Sequence, residues 1–246
     1  MPASLTVSLL ETWEPGARTP PHRRLSALLR SIYGPATVED DTLGGRCCRL
    51  LLLRREWGGG KMEGVVTCER CAERSEFIVP VEEIMNAARP APDARVQLHE
   101  QGRIFTFRLP RMSDIEAASG LTNFDDVRQA IMRRCALDSD HPPAALADRL
   151  GARFEALDPA ANIVLKTVCS GCAVPIVAAV DIATFVARDL DRIAERLLRD
   201  IDAIASAYGW SEAAIADLPP RRRRRYVAMI AEARRQAPPP LTRRRS

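Results

Sequence analysis

The chain has 246 residues, 46% hydrophobic and 28% charged, an ordinary composition for a globular protein with one or two true cores. Aromatics make up only 5%, so aliphatic side chains and alanine must fill most of the interior. No apolar run approaches the roughly 18 residues that span a bilayer. Residues 1–13 lack a basic n-region and a small-residue cleavage site, so the expected address is the cytoplasm.

Lys61 and Lys166 are the only lysines among 36 basic residues. An arginine, alanine and proline bias of this kind fits a GC-rich bacterial genome. The charge is uneven. Residues 221–246 hold ten arginines against Glu232 alone, about +9, so residues 1–220 carry about −5 of the net +4. An acidic body with a basic end can meet an acidic partner, or the basic end can simply be solvated.

In chain order, residues 1–60 read as a helical region. A short apolar stretch spans 5–13, and Glu14-Pro15-Gly16 ends it with turn chemistry. Leu25, Leu28, Leu29 and Ile32 recur at helical spacing over 22–33, and Gly34-Pro35 breaks that helix. A further helix is expected over 46–57, with Leu50, Leu51 and Leu53 inward, stopped by Gly58-Gly59-Gly60.

Strand, CxxC, strand follows in 61–82. Val65 and Val66 precede Cys68-Glu69-Arg70-Cys71, and Phe77, Ile78 and Val79 come after. The arrangement returns in 162–181, where a strand over 163–168 leads into Cys169-Ser170-Gly171-Cys172 and a second strand spans 174–180. Each copy ends on an apolar-acidic step, Val81-Glu82 and Val180-Asp181. The two copies form a pseudo-repeat of β-hairpins with a CxxC at each tip.

Residues 83–161 read as a mixed insert. Strands are expected over 95–98 and 104–109 around Glu100-Gln101-Gly102. Ser113 and Asp114 read as N-caps with Glu116 in capping-box position. Helices are expected over 124–135 and 144–157. Residues 182–236 read as a helical hairpin. Val186, Leu190, Ile193, Leu197, Ile201, Ile204 and Tyr208 form one stripe of near 3.67-residue period, a nearly straight helix. Gly209 ends it, Ser211 starts a short helix, and Pro219-Pro220 opens a last one containing Tyr226. Residues 237–246 read as a disordered basic tail.

Cys68, Cys71, Cys169 and Cys172 carry the chemistry. Two residues between cysteines let one tight turn aim both sulfurs at one ion, and two such turns complete a tetrahedral thiolate shell for structural zinc. Arg70, Arg74 and Lys166 could offset the charge of about −2 left by four thiolates and Zn²⁺. Ordinary ribbons separate their pairs by roughly 15–20 residues, whereas 72–168 intervene here, so the insert must bring its ends together. One zinc site within the chain is the reading adopted. Zinc shared between two chains, a thiol–disulfide role and inert cysteines are the alternatives. Strands flank both pairs, whereas redox CxxC motifs usually open a helix.

Cys47, Cys48 and Cys135 fall in expected helices and read as packed thiols. His22, His99 and His141 stand at no ligand or catalytic spacing. No phosphate loop, GxSxG elbow or HExxH is present, so no enzyme and no small-molecule substrate are expected. Five arginines at 221–225 would meet phosphates. On a helix at most two or three share a face, and no aromatics interleave them. Nucleic-acid binding through that segment is the second reading.

The C-terminal half also carries a resemblance. Cys169-Ser-Gly-Cys172, Val180-Asp-Ile-Ala-Thr-Phe185, the long helix, Ala207-Tyr-Gly-Trp210-Ser-Glu212, Leu218-Pro-Pro-Arg-Arg and the stretch 226–230 resemble the T-even phage baseplate protein family. The closer likeness is to its longer zinc-ribbon forms in phage-tail-like and extracellular contractile injection clusters. Leu10-Glu-Thr-Trp-Glu14 and the first CxxC fit those forms more loosely. Ser170-Gly171, where many relatives carry proline after the first cysteine, and the arginine run depart from the pattern.

The resemblance implies a baseplate or hub-assembly component of a contractile tail, acting by contact with hub, tube or spike subunits and incorporated into the particle. Tyr208, Trp210, Arg221, Arg224 and Tyr226 are its candidate contact residues, although Tyr208 and Trp210 could equally pack the helical hairpin shut. The expected class is α+β: a zinc ribbon from two distant hairpins, N-terminal helices, a mixed insert and a C-terminal helical hairpin.

Overall fold

The structure, a computed structural model, describes residues 3–14, 19–87, 91, 93–139 and 141–236. The chain begins with α1 (Ala3–Trp13), α2 (Pro21–Tyr33), α3 (Pro35–Asp40) and α4 (Leu43–Glu56). Next come β1 (Lys61–Thr67), β2 (Arg74–Pro80), α5 (Val81–Ala87), β3 (Arg95–Glu100) and β4 (Arg103–Arg108). Then follow α6 (Met112–Ala118), α7 (Phe124–Cys135), α8 (Ala147–Leu157), β5 (Val164–Val168) and β6 (Pro175–Ala179). The last elements are α9 (Ile182–Tyr208), α10 (Glu212–Ala216) and α11 (Pro220–Gln236). The class is α+β, and the strands pair as three separate antiparallel hairpins. Among the described residues no helix is long and apolar enough to cross a membrane. The stretch 237–246, read as a basic tail, lies outside the described residues.

Two compact units divide the chain. One contains α1 with α9 from Arg188 onward, α10 and α11; the other runs from Pro20 to Ala187. The residues 1–60 read together as helical are therefore shared between them, α1 in one and α2–α4 in the other.

In the larger unit, α2 buries Leu25, Leu28 and Leu29. Gly34 takes a left-handed φ of 85° and Pro35 occupies the first helical position, so the expected break also starts α3. The Thr42 hydroxyl caps α4 by accepting the Gly45 N–H at 3.0 Å. At its other end, buried Arg54 donates to the carbonyls of Gly59, at 2.6 Å, and Lys61. That guanidinium holds the 58–60 glycine turn and delivers the chain into β1.

The insert has its own core. Val96, Leu98, Phe105 and Phe107 of the β3–β4 hairpin pack with Met132, Cys135, Leu146 and Leu150. Glu100 pairs with Arg103 across a two-residue turn, where Gln101 and Gly102 have φ of 50° and 75°. The segment 144–157 starts with a 3-10 turn, Ala144–Leu146, before α8.

The N-cap reading of Ser113 and Asp114 is corrected. Arg111 precedes α6, and Asp114 lies at the third helical position with no exposure, accepting the Arg111 N–H at 2.9 Å. Its oxygens also accept from Arg108 at 2.7 and 2.9 Å and from Arg134 at 3.0 Å. Burial raises the Asp114 pKa, and the Arg108 guanidinium, the Arg111 N–H and Arg134 outweigh it, leaving the carboxyl below its ordinary range. Two cations from other elements draw this side chain inward, which helix-cap spacing cannot reveal.

In the smaller unit the stripe of α9 buries Leu190, Leu197, Ile201 and Ile204, while Ile193 is half-buried and Tyr208, its last member, is exposed. The Ser211 hydroxyl caps α10 through Ala214, and α11 buries Ile230 and Arg223.

Candidate metal centre

The two cysteine turns share the same backbone hydrogen-bond pattern. In the first, the Cys68 N–H donates to the Glu73 carbonyl and the Ala72 N–H to the Cys68 carbonyl, each at 2.9 Å. In the second, Cys169 donates to Val174 at 2.9 Å and Ala173 to Cys169 at 3.0 Å. Such a turn needs a left-handed residue after its second cysteine, and Ala72 and Ala173 supply it at φ 59° and 57°. Each hairpin then hands over to a helix, α5 and α9. The apolar-acidic steps of the sequence are thus helix starts; Asp181 caps α9 by accepting the Thr184 N–H at 3.0 Å.

The hairpins bring all four sulfurs together. Cys68 Sγ lies 3.7 Å from Cys172 Sγ, Cys71 Sγ lies 3.5 Å from Cys169 Sγ, and all four fall within 4.8 Å of one another. Each short approach joins the first cysteine of one pair to the second of the other. Cys68 and Cys169 are buried, while Cys71 is exposed and Cys172 half-buried. A disulfide needs about 2.0 Å, so the four are separate thiols. Sulfurs bound at about 2.3 Å in a tetrahedron lie about 3.8 Å apart. The observed separations fit one metal ion with small adjustment. Among the described residues no other group of three His, Cys, Asp or Glu side chains converges in this way.

Backbone dipoles prepare the pocket for negative charge. The N–H groups of Cys71 and Arg70 pull the Cys68 thiol down to about 7. At Cys71 the Glu73 N–H also lowers the pKa, but the neighbouring sulfurs of Cys172 and Cys169 hold it up, at about 12. Four thiols so close cannot all ionise unless a cation shares the space, and a metal ion is one that the cluster could hold. Arg70 thus acts through its main chain; Arg74 and Lys166 are exposed on β2 and β5.

Two supports of the centre were not legible in the sequence. Ser75 Oγ and Ser170 Oγ meet at 3.2 Å, linking the two turns beside the sulfurs. A Cβ at Gly171 would lie 3.2 Å from Glu73 Cγ and 3.6 Å from Cys71 Sγ, so glycine lets the second turn close against the first. Further down, Phe77 and Phe185 meet edge to face at 6.3 Å. Met62, Phe77 and Val79 of the first hairpin, Ile84 of α5, Leu165 of β5 and Val180 line a mainly apolar cleft of about 360 Å³.

The remaining cysteines stay apart from this site. Burial, and then the Cys48 charge, push Cys47 up to about 12; burial and Asp114 do the same to Cys135. Cys135 is fully buried, as expected for a packed thiol, whereas Cys47 and Cys48 are half-buried. The other candidate residues lie in the smaller unit. Tyr208, Trp210 and Tyr226 form one cluster, Tyr208 stacked on Trp210 at 5.4 Å and Tyr226 edge-on to both, at 5.7 and 5.1 Å. Arg221 and Arg224 are exposed on α11. Comparison with protein-family models, with curated proteins and with solved structures finds no match.

Proposed function

We propose that Cys68, Cys71, Cys169 and Cys172 hold one structural Zn²⁺, closing a zinc ribbon from two sequence-distant hairpins. We further propose that the chain is a non-enzymatic baseplate or hub-assembly component of a contractile phage tail or phage-tail-like injection particle. The observation that carries the metal reading is the convergence of four sulfurs from two equivalent turns. Tetrahedral four-sulfur sites take zinc or iron, and a site closed by four protein ligands leaves no position for substrate. That closure favours a structural role over turnover. The assembly reading draws its support from the resemblance of residues 165–232, quoted above, and from helical surfaces suited to protein contact.

Metal analysis of the purified chain tests the first part: one zinc per chain is expected, and iron or no metal overturns it. Affinity capture from the producing cells, with mass spectrometry, tests the second. Tube, spike, hub or sheath subunits are expected. Recovery of nucleic acid alone would replace assembly with the nucleic-acid reading.

A further inference from the structure

We propose that the exposed arginines of α11 and the Tyr208–Trp210–Tyr226 cluster form a docking surface for an acidic protein segment carrying an apolar anchor. This surface stands on its own charges and rings and depends on neither the metal nor the baseplate reading.

The arginines are placed against the stability of their own helix. Residues 221–225 fill the first two turns of α11, where the macrodipole favours acidic side chains. Arg221 faces Arg224 and Arg225 at three and four residues, and Arg222 faces Arg225, so like charges repel along the surface. The fold engages two of the five. Arg223 is buried, lies 3.8 Å from Asp200 and donates to the Leu218 carbonyl. Arg225 reaches Glu232 at 3.6 Å. Arg221, Arg222 and Arg224 are exposed, and among the described residues none makes a direct salt bridge, although the Arg224 charge is felt at Asp200. Positive charge beyond what folding uses is a reason to look for an anionic partner.

The neighbouring groups say what kind. Arg222, Arg225, Tyr226 and Met229 stand at i, i+3, i+4 and i+7, one face of α11. Tyr226 carries Trp210 and Tyr208 beside it, and Met229, Tyr208 and Trp210 are all among the exposed large apolar side chains. Arginine, aromatic rings and methionine are the side chains that protein interfaces concentrate. Single-stranded nucleic acid instead needs open ring faces on which bases stack. Here Tyr208 and Trp210 stack on one another with 30° between their planes, and Tyr226 meets both edge-on. A phosphate backbone would also leave Met229 without an apolar contact. Charge complementarity and the apolar stripe together fit an acidic polypeptide segment.

The test is selection of a displayed random peptide library on the full chain at physiological salt. A single-stranded and a duplex DNA oligonucleotide are titrated in parallel. The expected peptides are net acidic with an aromatic or aliphatic residue, and the double variant Arg222→Glu, Arg225→Glu binds them at least about tenfold more weakly. Arg221→Ala with Arg224→Ala, at exposed positions, is the second variant and should weaken them about threefold. Neutral or basic peptides, failure to select any acidic peptide, binding unchanged in both variants, or DNA bound more tightly than the best peptide would each overturn the proposal.

Discussion

Ala72 and Ala173 occupy the same place in the two cysteine turns, one residue past the second cysteine, and both have left-handed backbones, φ 59° and 57°. An L-residue pays about 1–2 kcal/mol there, which glycine avoids at an entropic cost of roughly 0.5–1 kcal/mol. Ala72→Gly and Ala173→Gly should therefore each stabilise the folded chain, by about 0.5 kcal/mol. Thermal unfolding of each variant reads this as a rise in midpoint. A fall at both positions would mean that the turns are not under this strain.

Loss of a ligand should act quite differently from loss of a packed thiol. Cys68→Ser or Cys169→Ser removes a buried sulfur from the four and should abolish stoichiometric metal binding. Structural zinc contributes on the order of 10 kcal/mol of apparent binding free energy, so the cysteine hairpins should lose cooperative structure. Cys135→Ala, at a buried position in the insert, should keep the metal and cost only about 1 kcal/mol. Metal content and near-ultraviolet dichroism, measured on the same samples, separate the two classes. Equal metal loss in all three variants would count against the four-sulfur site.

Asp114 should make the insert acid-sensitive. Its folded pKa lies below the ordinary value, so its contribution is complete above about pH 4 and disappears as pH falls through the lower, folded value. Unfolding midpoints in urea should therefore drop steeply below about pH 4. Asp114→Asn should flatten that drop and cost about 2–4 kcal/mol at neutral pH. Arg108 and Arg134 are partly exposed and can rehydrate, which keeps the cost at the lower end of a broken buried pair. A variant with an unchanged acid limb would show that another carboxylate governs it.

The features legible in the sequence were those fixed by local chemistry. The leucine spacing of α2, the stripe of α9 and the Gln101-Gly102 turn each specify one backbone, and both cysteine turns followed from their spacing and flanking strands. Convergence of the turns was legible too, because two CxxC pairs, each at the tip of a hairpin, suit the four corners of one tetrahedral site. Helices α3 and α5 were not: Pro35 read as a stop although it also fits a first helical position, and Val81 read as a strand end. The placement of α1 with α9–α11 was also hidden, since an apolar stretch shows which face is buried but not what covers it. The roles of Asp114 and the Ser75–Ser170 contact depend on partners that only the fold brings near.

Gly44 shows the same dependence on distant residues. It lies in the first turn of α4, where alanine would ordinarily add about 1 kcal/mol of helix stability. Here its N–H donates to buried Asp158 Oδ2 at 2.8 Å, and a Cβ would fall 1.9 Å from Oδ1 and 2.9 Å from the Ala160 methyl. Asp158 Oδ1 is already buried without a hydrogen-bond partner. Gly44→Ala must push the carboxylate off the helix, adding steric strain and a lost buried hydrogen bond. The expected net loss is about 2–3 kcal/mol. Asp158→Ala in the Gly44→Ala background should recover part of it, because the clash disappears with the carboxylate. A double-mutant cycle in denaturant reads the coupling directly. Additive losses would mean that Gly44 and Asp158 do not share this contact.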